Sequence, residues 1–337
     1  MTGPSPRERR LLRDKSVVIT GASGGIGRAT ALAFAAAGAR LTLAARRTEA
    51  LEEVAAGCRG QGADATPVTV DVTRTEDLDR LMATVLARWG RVDVWVNNAG
   101  TTLFAGLDAE DFAAHRRVIE TNLVASMYAA RLLVPVFRRQ NAGTLINLGS
   151  VLSQVGQPFV PSYVISKFGV LGITDAVRAE FADSPAIHIC TVLPFAVNSP
   201  HFEDAANVTG RRPHAMPPAQ QPEDVAAAII SVAARPRRLR YVPRYIALGV
   251  ALHWLMPRTT ERLLRHALEE FHLVGSQQST RGSLFRAIDG PANIRGQRGP
   301  VVSLPRLAWW VARDLAAMCW GSVFHRRTPW RLVSPMS

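Results

Sequence analysis

The chain has 337 residues, 47% of them hydrophobic, enough for one large core or two domains, which sets it apart from disordered polymers. Its three cysteines, Cys58, Cys190 and Cys319, are too widely spaced for a metal motif or a disulfide framework and suggest thiols in a reducing compartment. The net charge of +13 is concentrated at one end: residues 235–337 hold 17 arginines and 5 acidic residues, and the first two thirds are close to neutral.

No apolar run precedes the first strand, so residues 1–13 are expected to form an N-terminal arm with no signal peptide. From residue 14 onward, short apolar runs alternate with longer helical patterns. The runs are SVVIT (16–20), RLTLAA (40–45), TPVTV (66–70), VDVWVNN (92–98), GTLINLG (143–149) and AIHICTVLP (186–194). Continuously apolar strands separated by amphipathic helices predict a parallel sheet covered on both faces. The expected fold class is therefore α/β, a doubly wound Rossmann-type domain over residues 14–240.

The first strand runs into TGASGGIGRAT, where Gly21, Gly25 and Gly27 mark a turn that opens a helix. Glycine there permits positive φ and close backbone approach to a phosphate, which the helix N-terminus favours. The second strand ends in Ala44-Ala45-Arg46-Arg47 with no acidic residue. An arginine at this place suits the 2′-phosphate of NADP, so NADP(H) is expected ahead of NAD(H), with Ser23 able to add a hydroxyl. The two arginines would equally solvate a helix start in an arginine-rich chain. Asp71 closes the third strand and could meet an adenine or cap the next helix. Asn97-Asn98-Ala99-Gly100 ends the fourth; small residues let backbone pass a cofactor, and paired asparagines can tie strand ends together.

SYVISKFG holds Lys167, one of only two lysines, and Tyr163, one of four tyrosines. On a helix, i and i+4 share a face. A phenol ordinarily titrates near pH 10, and a neighbouring ammonium is expected to lower that value and suit it to proton transfer. Lysine supplies a compact charge with rotatable donors, which arginine does not.

The set TGASGGIG, NNAG, the Asn in VIETNL, a Ser 13 residues before the tyrosine, and YVISK resembles the short-chain dehydrogenase/reductase family over residues 14–240. The resemblance implies a Rossmann-type fold and hydride transfer between NAD(P) and an alcohol or carbonyl. It implies that Tyr163 is the general acid or base, that Lys167 lowers its pKa and holds the nicotinamide ribose, and that Ser150 bonds the substrate oxygen. Asn122 would anchor a helix kink and a relay water. It moves Asp71 towards the adenine and extends the cofactor contacts to Ile26, Val72, Asn98, Ala99, Gly100, Pro194, Val197 and Ser199. Two positions depart from the family pattern. Phe195 stands where a glycine usually follows Pro194, implying a stiffer, more apolar loop, and Gly149 stands where serine is common. The family also implies a homodimer or homotetramer built through the helices that hold Asn122 and Tyr163.

Residues 201–221 are expected to form a lid, and residues 241–274 a helical, apolar segment on the substrate side. Together they suggest an apolar alcohol or carbonyl, lipid-, steroid- or terpenoid-like, although the same residues could pack on the core or on a second subunit. Residues 275–303, rich in Gly, Ser, Gln and Arg, read as a linker or surface loop. Residues 304–337 form a basic extension whose 304–327 stretch, with Trp309, Trp310, Trp320 and several arginines, suits peripheral membrane contact, packing or an oligomer contact. Nothing else supports nucleic-acid binding, and no metal site is expected. A cytoplasmic protein, peripheral to a membrane if the tail docks there, fits this reading. The alternative is a catalytically idle NAD(P)-binding regulator or membrane-surface scaffold.

Overall fold

The computed structural model describes residues 3–109 and 112–319. A short helix, α1 (Pro6–Leu12), opens with a reciprocal capping box between Ser5 and Glu8. Strict alternation follows: β1 (Ser16–Thr20), α2 (Gly25–Ala36), β2 (Arg40–Ala45), α3 (Thr48–Gly60), β3 (Ala65–Thr69), α4 (Thr75–Trp89) and β4 (Val94–Asn97). After β5 (Leu103–Phe104) come α5 (Phe112–Ile119), a π-helical turn over Glu120–Val124, α6 (Ala125–Gln140), β6 (Gly143–Leu148), α7 (Pro161–Glu180) and β7 (Ile187–Pro194). The chain continues through α8 (His201–Asp204), β8 (Ala206–Asn207), β9 (Arg211–Pro213), α9 (Pro222–Ala234) and β10 (Leu239–Val242). It ends in α10 (Ile246–Leu255), α11 (Pro257–Ala267), β11 (Leu273–Ser276) and α12 (Leu304–Cys319).

Seven strands form one parallel sheet in the order β10-β7-β6-β4-β1-β2-β3. β1 shows why the centre of its sequence is apolar. Val17 and Ile19 enter one core with Phe34, Leu51 and Ile229, whereas Val18 enters the opposite core with Leu81, Leu133 and Phe137. Both faces of the strand are buried, so its three central positions are apolar and its polar residues, Ser16 and Thr20, stand at the ends. This is the doubly wound Rossmann-type arrangement. The strand order reverses between β1 and β4, which opens a crevice beyond their carboxyl ends.

Two features depart from the sequence expectation. A boundary at 240 would cut β10, a seventh strand that pairs with β7 through Val242. Its sequence, LRYV, lies at a sheet edge and is only partly buried, so it lacks the apolar signature of an inner strand. The second feature is the 277–303 stretch. It has no helix or strand of its own, yet it is strapped across the domain. Gly25 N–H donates to Asn293 O (2.8 Å), Ser283 N–H to Asp204 O (2.7 Å) and Ala215 N–H to Arg298 O (2.9 Å). Leu284 and Ala292 of this stretch are buried against the domain. Irregular composition here reflects backbone groups that bond to distant partners instead of to a local ladder.

The lid segment is pinned at two places, with β8 paired to β5 and β9 antiparallel to β11. α12 packs against the turn that follows α11 through Trp310, buried 5.4 Å from the Phe271 ring. Trp320, Arg326 and Arg327 lie outside the described residues. Among the described residues no helix is long and apolar enough to cross a membrane.

Beneath the lid, His272 packs against Phe104 (5.5 Å between ring centroids) and Phe202 (5.9 Å). Its Nδ1–H donates to the His214 carbonyl, and its Nε2 is buried without a partner. Burial pushes its pKa down to about 4. A second proton would charge a ring that has nothing to receive it. The folded value lies below the unfolded one, so this stabilisation is complete above pH ~6.5 and is lost as pH falls towards 4. We expect the thermal midpoint to drop between pH 7.5 and pH 4.5. Replacing His272 by Gln should remove roughly 1–2 kcal/mol of that pH-dependent loss. An identical slope in variant and wild type, followed by circular dichroism, would contradict this account.

Candidate active site

The glycine-rich turn sits at the carboxyl end of β1. Gly21 has φ +66° and Gly25 φ +52°, conformations that side chains resist. A Cβ on Gly21 would come within 2.8 Å of Ala99 Cα, and one on Gly27 would run into the Gly21 carbonyl. Gly21 is therefore required by close approach between the ends of β1 and β4, and Gly27 by the seating of α2 on the end of β1. The cradle they leave, free of Cβ atoms and at a helix N-terminus, fits the pyrophosphate of a dinucleotide. Asn98 holds the two strand ends together, its Nδ2 donating to Thr20 O (2.9 Å) and Gly21 O (3.1 Å). Asn97 has the corresponding structural role one layer deeper, donating to Asn147 Oδ1 (2.8 Å).

At the end of β2, both arginines face the same space. Arg47 donates to Ser23 Oγ (3.3 Å) and Ser23 O (2.8 Å), clasping the glycine turn. Arg46 donates to the Ser283 carbonyl of the strap (2.7 Å), and burial pulls its pKa below the ordinary value. A partly desolvated cation bonded to a neutral carbonyl is a position that an added anion would stabilise. Asp71 accepts from Thr73 N–H (3.0 Å) and lies 3.2 Å from Arg117. Burial opposes its charge, but the Thr73 bonds and Arg117 hold its carboxyl below the usual range.

The chemistry-bearing group lies beyond β6 and β4. Ser150 follows β6 and caps a single 3-10 turn, its Oγ accepting from Leu152 N–H (3.1 Å). Pro161 starts α7, which places Tyr163 in the first turn on the same cavity wall as Ser150, near enough for Ser150 to pull the phenol pKa down. Lys167 follows one turn later, its ammonium 5.4 Å from the Tyr163 ring centroid. The π turn carries Asn122, which accepts from Thr101 N–H (2.8 Å) and donates to Thr101 O (3.0 Å) and Ser166 Oγ (2.9 Å). Ser166 Oγ in turn donates to Tyr163 O (2.7 Å). The extra residue of the π turn thus lets one side chain brace the β4 loop against the first turn of α7.

The electrostatics reverse one expectation. Lys167 was expected to make the phenol more acidic. Instead burial dominates both groups, raising Tyr163 to about 12, against the opposing pull of Ser150, and lowering Lys167 to about 8. The physical reason is that the two groups share one poorly hydrated site. The ammonium donates to Leu148 O (2.8 Å), not to the phenol.

A cavity of about 360 Å³ joins these parts. Every residue expected at the site lines it except Asn122, which lies behind the wall: Gly21, Ser23, Gly25, Ile26, Gly27, Arg46, Asp71, Val72, Asn98, Ala99, Gly100, Ser150, Tyr163, Lys167, Pro194, Val197 and Ser199. Gly149 lies beside Leu193 and Ser153, where a Cβ would come within 2.5 Å of Leu193 Cδ2 and would require that side chain to shift. Phe195 is held by its N–H to Val242 O (2.8 Å) and joins the apolar wall with Met216 and Leu268.

Sequence reasoning missed three contributions. His201 shares a 2.6 Å hydrogen bond with Thr102 Oγ1, and its ring lies 5.9 Å from that of Tyr163. Burial, with Lys167 adding to the effect, pushes its pKa down to about 4, so it faces the phenol as a neutral ring. Ser166 and the strap residues Ser283, Leu284 and Ile288 are the other two. Ser166 was visible only as a hydroxyl within the Tyr–Lys turn; His201 and the strap carried no local signal.

Comparison with known proteins accords with this geometry. The family described as short chain dehydrogenase matches residues 15–208. An uncharacterized oxidoreductase, YxnA, from Bacillus subtilis (strain 168) is 34% identical over 258 residues, covering 76% of this chain and 72% of that protein. Estradiol 17-beta-dehydrogenase 11 of Mus musculus is 28% identical over 265 residues, 78% of this chain and 87% of that protein. A 3-oxoacyl-[acyl-carrier-protein] reductase of Synechocystis sp. (strain ATCC 27184 / PCC 6803 / Kazusa) is 35% identical over 181 residues, 52% of this chain and 72% of that protein. With a parallel Rossmann-type sheet, a glycine cradle at its switch point and this family match over more than half its length, the chain belongs to the short-chain dehydrogenases, NAD(P)-dependent oxidoreductases acting on CH–OH and C=O groups.

Proposed function

We propose that the protein interconverts an apolar carbonyl and its alcohol, with NADP(H) as the preferred cofactor and Tyr163 as the proton donor and acceptor. The observation that carries this reading is that Tyr163, Ser150 and Lys167 line one cavity, with Ser150 near enough to the phenol to pull its pKa down and the Lys167 ammonium 5.4 Å from its ring. When bound, the dinucleotide supplies the hydride to a carbonyl or takes it from an alcohol. Gly21, Gly25, Gly27 and Ser199 would hold its phosphates and carboxamide, and Lys167 its ribose.

Ser150 Oγ donates to the substrate oxygen, where negative charge develops, and Tyr163 delivers its proton to the same oxygen. A phenol held near pKa 12 is fully protonated at neutral pH, as an acid for carbonyl reduction must be. The Lys167 charge favours the phenolate left behind, an effect that requires the amine to be protonated. Its lowered pKa of about 8 means that this charge is present below pH 8 and fades above it. Asn122 and Ser166 act through position, holding the Tyr163 turn against the β4 loop.

An apolar substrate is supported by the cavity wall of Phe195, Met216, Leu264 and Leu268. It also agrees with relatives named for a steroid alcohol and for an oxoacyl group. NADP is supported by Arg46, partly buried and bonded only to a neutral carbonyl at the β2 end. A dimer or tetramer is supported by Val124, Met127, Ile165 and Phe168, exposed on the helices that carry the π turn and Tyr163.

Five outcomes test this reading. Tyr163→Phe is expected to lower carbonyl reduction about 10³-fold with cofactor binding retained; equal turnover in an NADPH absorbance assay over a carbonyl panel would remove Tyr163 as the acid, and no turnover by the wild type over that panel would favour the idle regulator. Wild-type reduction should hold steady up to pH ~8 and decline above it. Arg46→Glu should convert an NADPH preference into an NADH preference, and a wild-type enzyme that already favours NADH tenfold would remove this role of Arg46. Because the strap carbonyl of Asn293 takes the Gly25 N–H that a phosphate would need, loosening the strap with Glu53→Ala should speed cofactor association in stopped flow. Finally, Ile165→Lys with Phe168→Glu should reduce the light-scattering mass; an unchanged mass would place any subunit contact elsewhere.

A further inference from the structure

Helix α10 carries the sequence IALGVALHWL, with no charged residue. Val250 is the one side chain it buries. Leu248 is 74% exposed, Trp254 68% and Leu255 78%, and Tyr245, Leu252 and Met256 are exposed beside them. Its single polar ring, His253, is turned onto α11, where Nδ1 bonds Thr260 Oγ1 (3.0 Å). The helix thus presents an apolar face to solvent in a folded chain, a state that normally marks a docking surface.

The surroundings of this face indicate what docks there. Between residues 244 and 270 the chain holds Arg244, Arg258, Arg262 and Arg265, all exposed, and three carboxylates, Glu261, Glu269 and Glu270; Glu269 pairs with Arg265 (3.2 Å), which leaves Arg244, Arg258 and Arg262 as the cations flanking the helix. The whole 235–337 region is strongly basic. A second copy of the chain related by a two-fold axis would bring these arginine rims together, like charge against like. A negatively charged partner has no such conflict. The helix is about 15 Å long by its rise per residue, half the thickness of a bilayer core of about 30 Å, so it would lie in the interface and not cross it. Trp254 and the flanking arginines are residues favoured at that depth.

We propose that α10 docks on an anionic lipid bilayer, its apolar face in the headgroup–acyl boundary and the flanking arginines on the lipid phosphates. The α10–α11 hairpin also gives Leu264 to the cavity wall, so the docking helix and the pocket belong to one structural unit. The inference does not depend on the reaction proposed above and can be tested without turnover.

The experiment is co-sedimentation of the full chain with vesicles of phosphatidylcholine alone or with about 30 mol% phosphatidylglycerol. Binding is expected only to the anionic vesicles, weakening as salt is raised. It should fall at least tenfold in a Leu248→Ser/Trp254→Ser/Leu255→Ser variant and in an Arg258→Glu/Arg262→Glu variant, both with the C-terminal extension intact. Circular dichroism verifies their folding. Because the triple variant removes much apolar surface, Trp254→Phe gives a separate reading: quenching of tryptophan fluorescence by brominated lipid should drop by more than half. The proposal is overturned if the wild type ignores anionic vesicles, if the triple variant binds undiminished, or if quenching survives in Trp254→Phe. It is also overturned if the triple variant only lowers the oligomeric mass of a wild type that does not bind vesicles, which would make α10 a contact between copies.

Discussion

The site is built around the burial of two ionisable side chains, Tyr163 and Lys167, at the carboxyl edge of the sheet. Removing water from both keeps the proton on the phenol and weakens the hold of the amine on its own. The ammonium compensates by donating to the Leu148 carbonyl at the end of β6, which places it behind the phenol on the cavity wall. His201 completes the arrangement as a neutral ring, so the phenol faces one cation and no competing anion. A cofactor bringing phosphates and ribose hydroxyls into this space would change that balance. The protonation states of the empty and filled sites are therefore expected to differ.

Two devices hold the buried pair in place. One is the π turn, where a single inserted residue points Asn122 at both the β4 loop and Ser166. A regular helix would turn that side chain away by about 100°, and the first turn of α7 would lose its brace. The other is the close contact of the end of β1 with β4 and with α2, possible only where Gly21 and Gly27 lack side chains. Neither device takes part in chemistry directly; each limits where Tyr163 and the phosphate cradle can lie relative to one another.

The C-terminal third builds onto this frame. The lid segment and β11 close over the pocket through two small strand pairs, and the strap lays its carbonyls across the glycine turn and Arg46. The same region carries most of the net positive charge and the most exposed apolar helix. Pocket closure and surface docking are thus properties of one region, while the preceding two thirds provide a neutral scaffold.

How much of this could be read in advance follows from the range of each interaction. The inner strands, both core layers and the Tyr–Lys turn were legible because period and spacing are local properties, and burial on both faces gives the centre of β1 an uninterrupted apolar run. The family motifs likewise named the residues that line the cavity. β10 escaped notice because an edge strand can carry arginine, and the strap because its hydrogen bonds reach residues more than two hundred positions away. The direction of the Tyr163 pKa shift was misjudged for a related reason. Helical spacing brings an amine near a phenol, but the dielectric around them is set by lid, sheet and strap together. By itself the sequence determined the alternation of elements and most of the residues that line the cavity, since these rest on patterns between neighbours in the chain. The tertiary structure alone decided hydration, protonation and which surfaces stay exposed, since those depend on segments that meet only after folding.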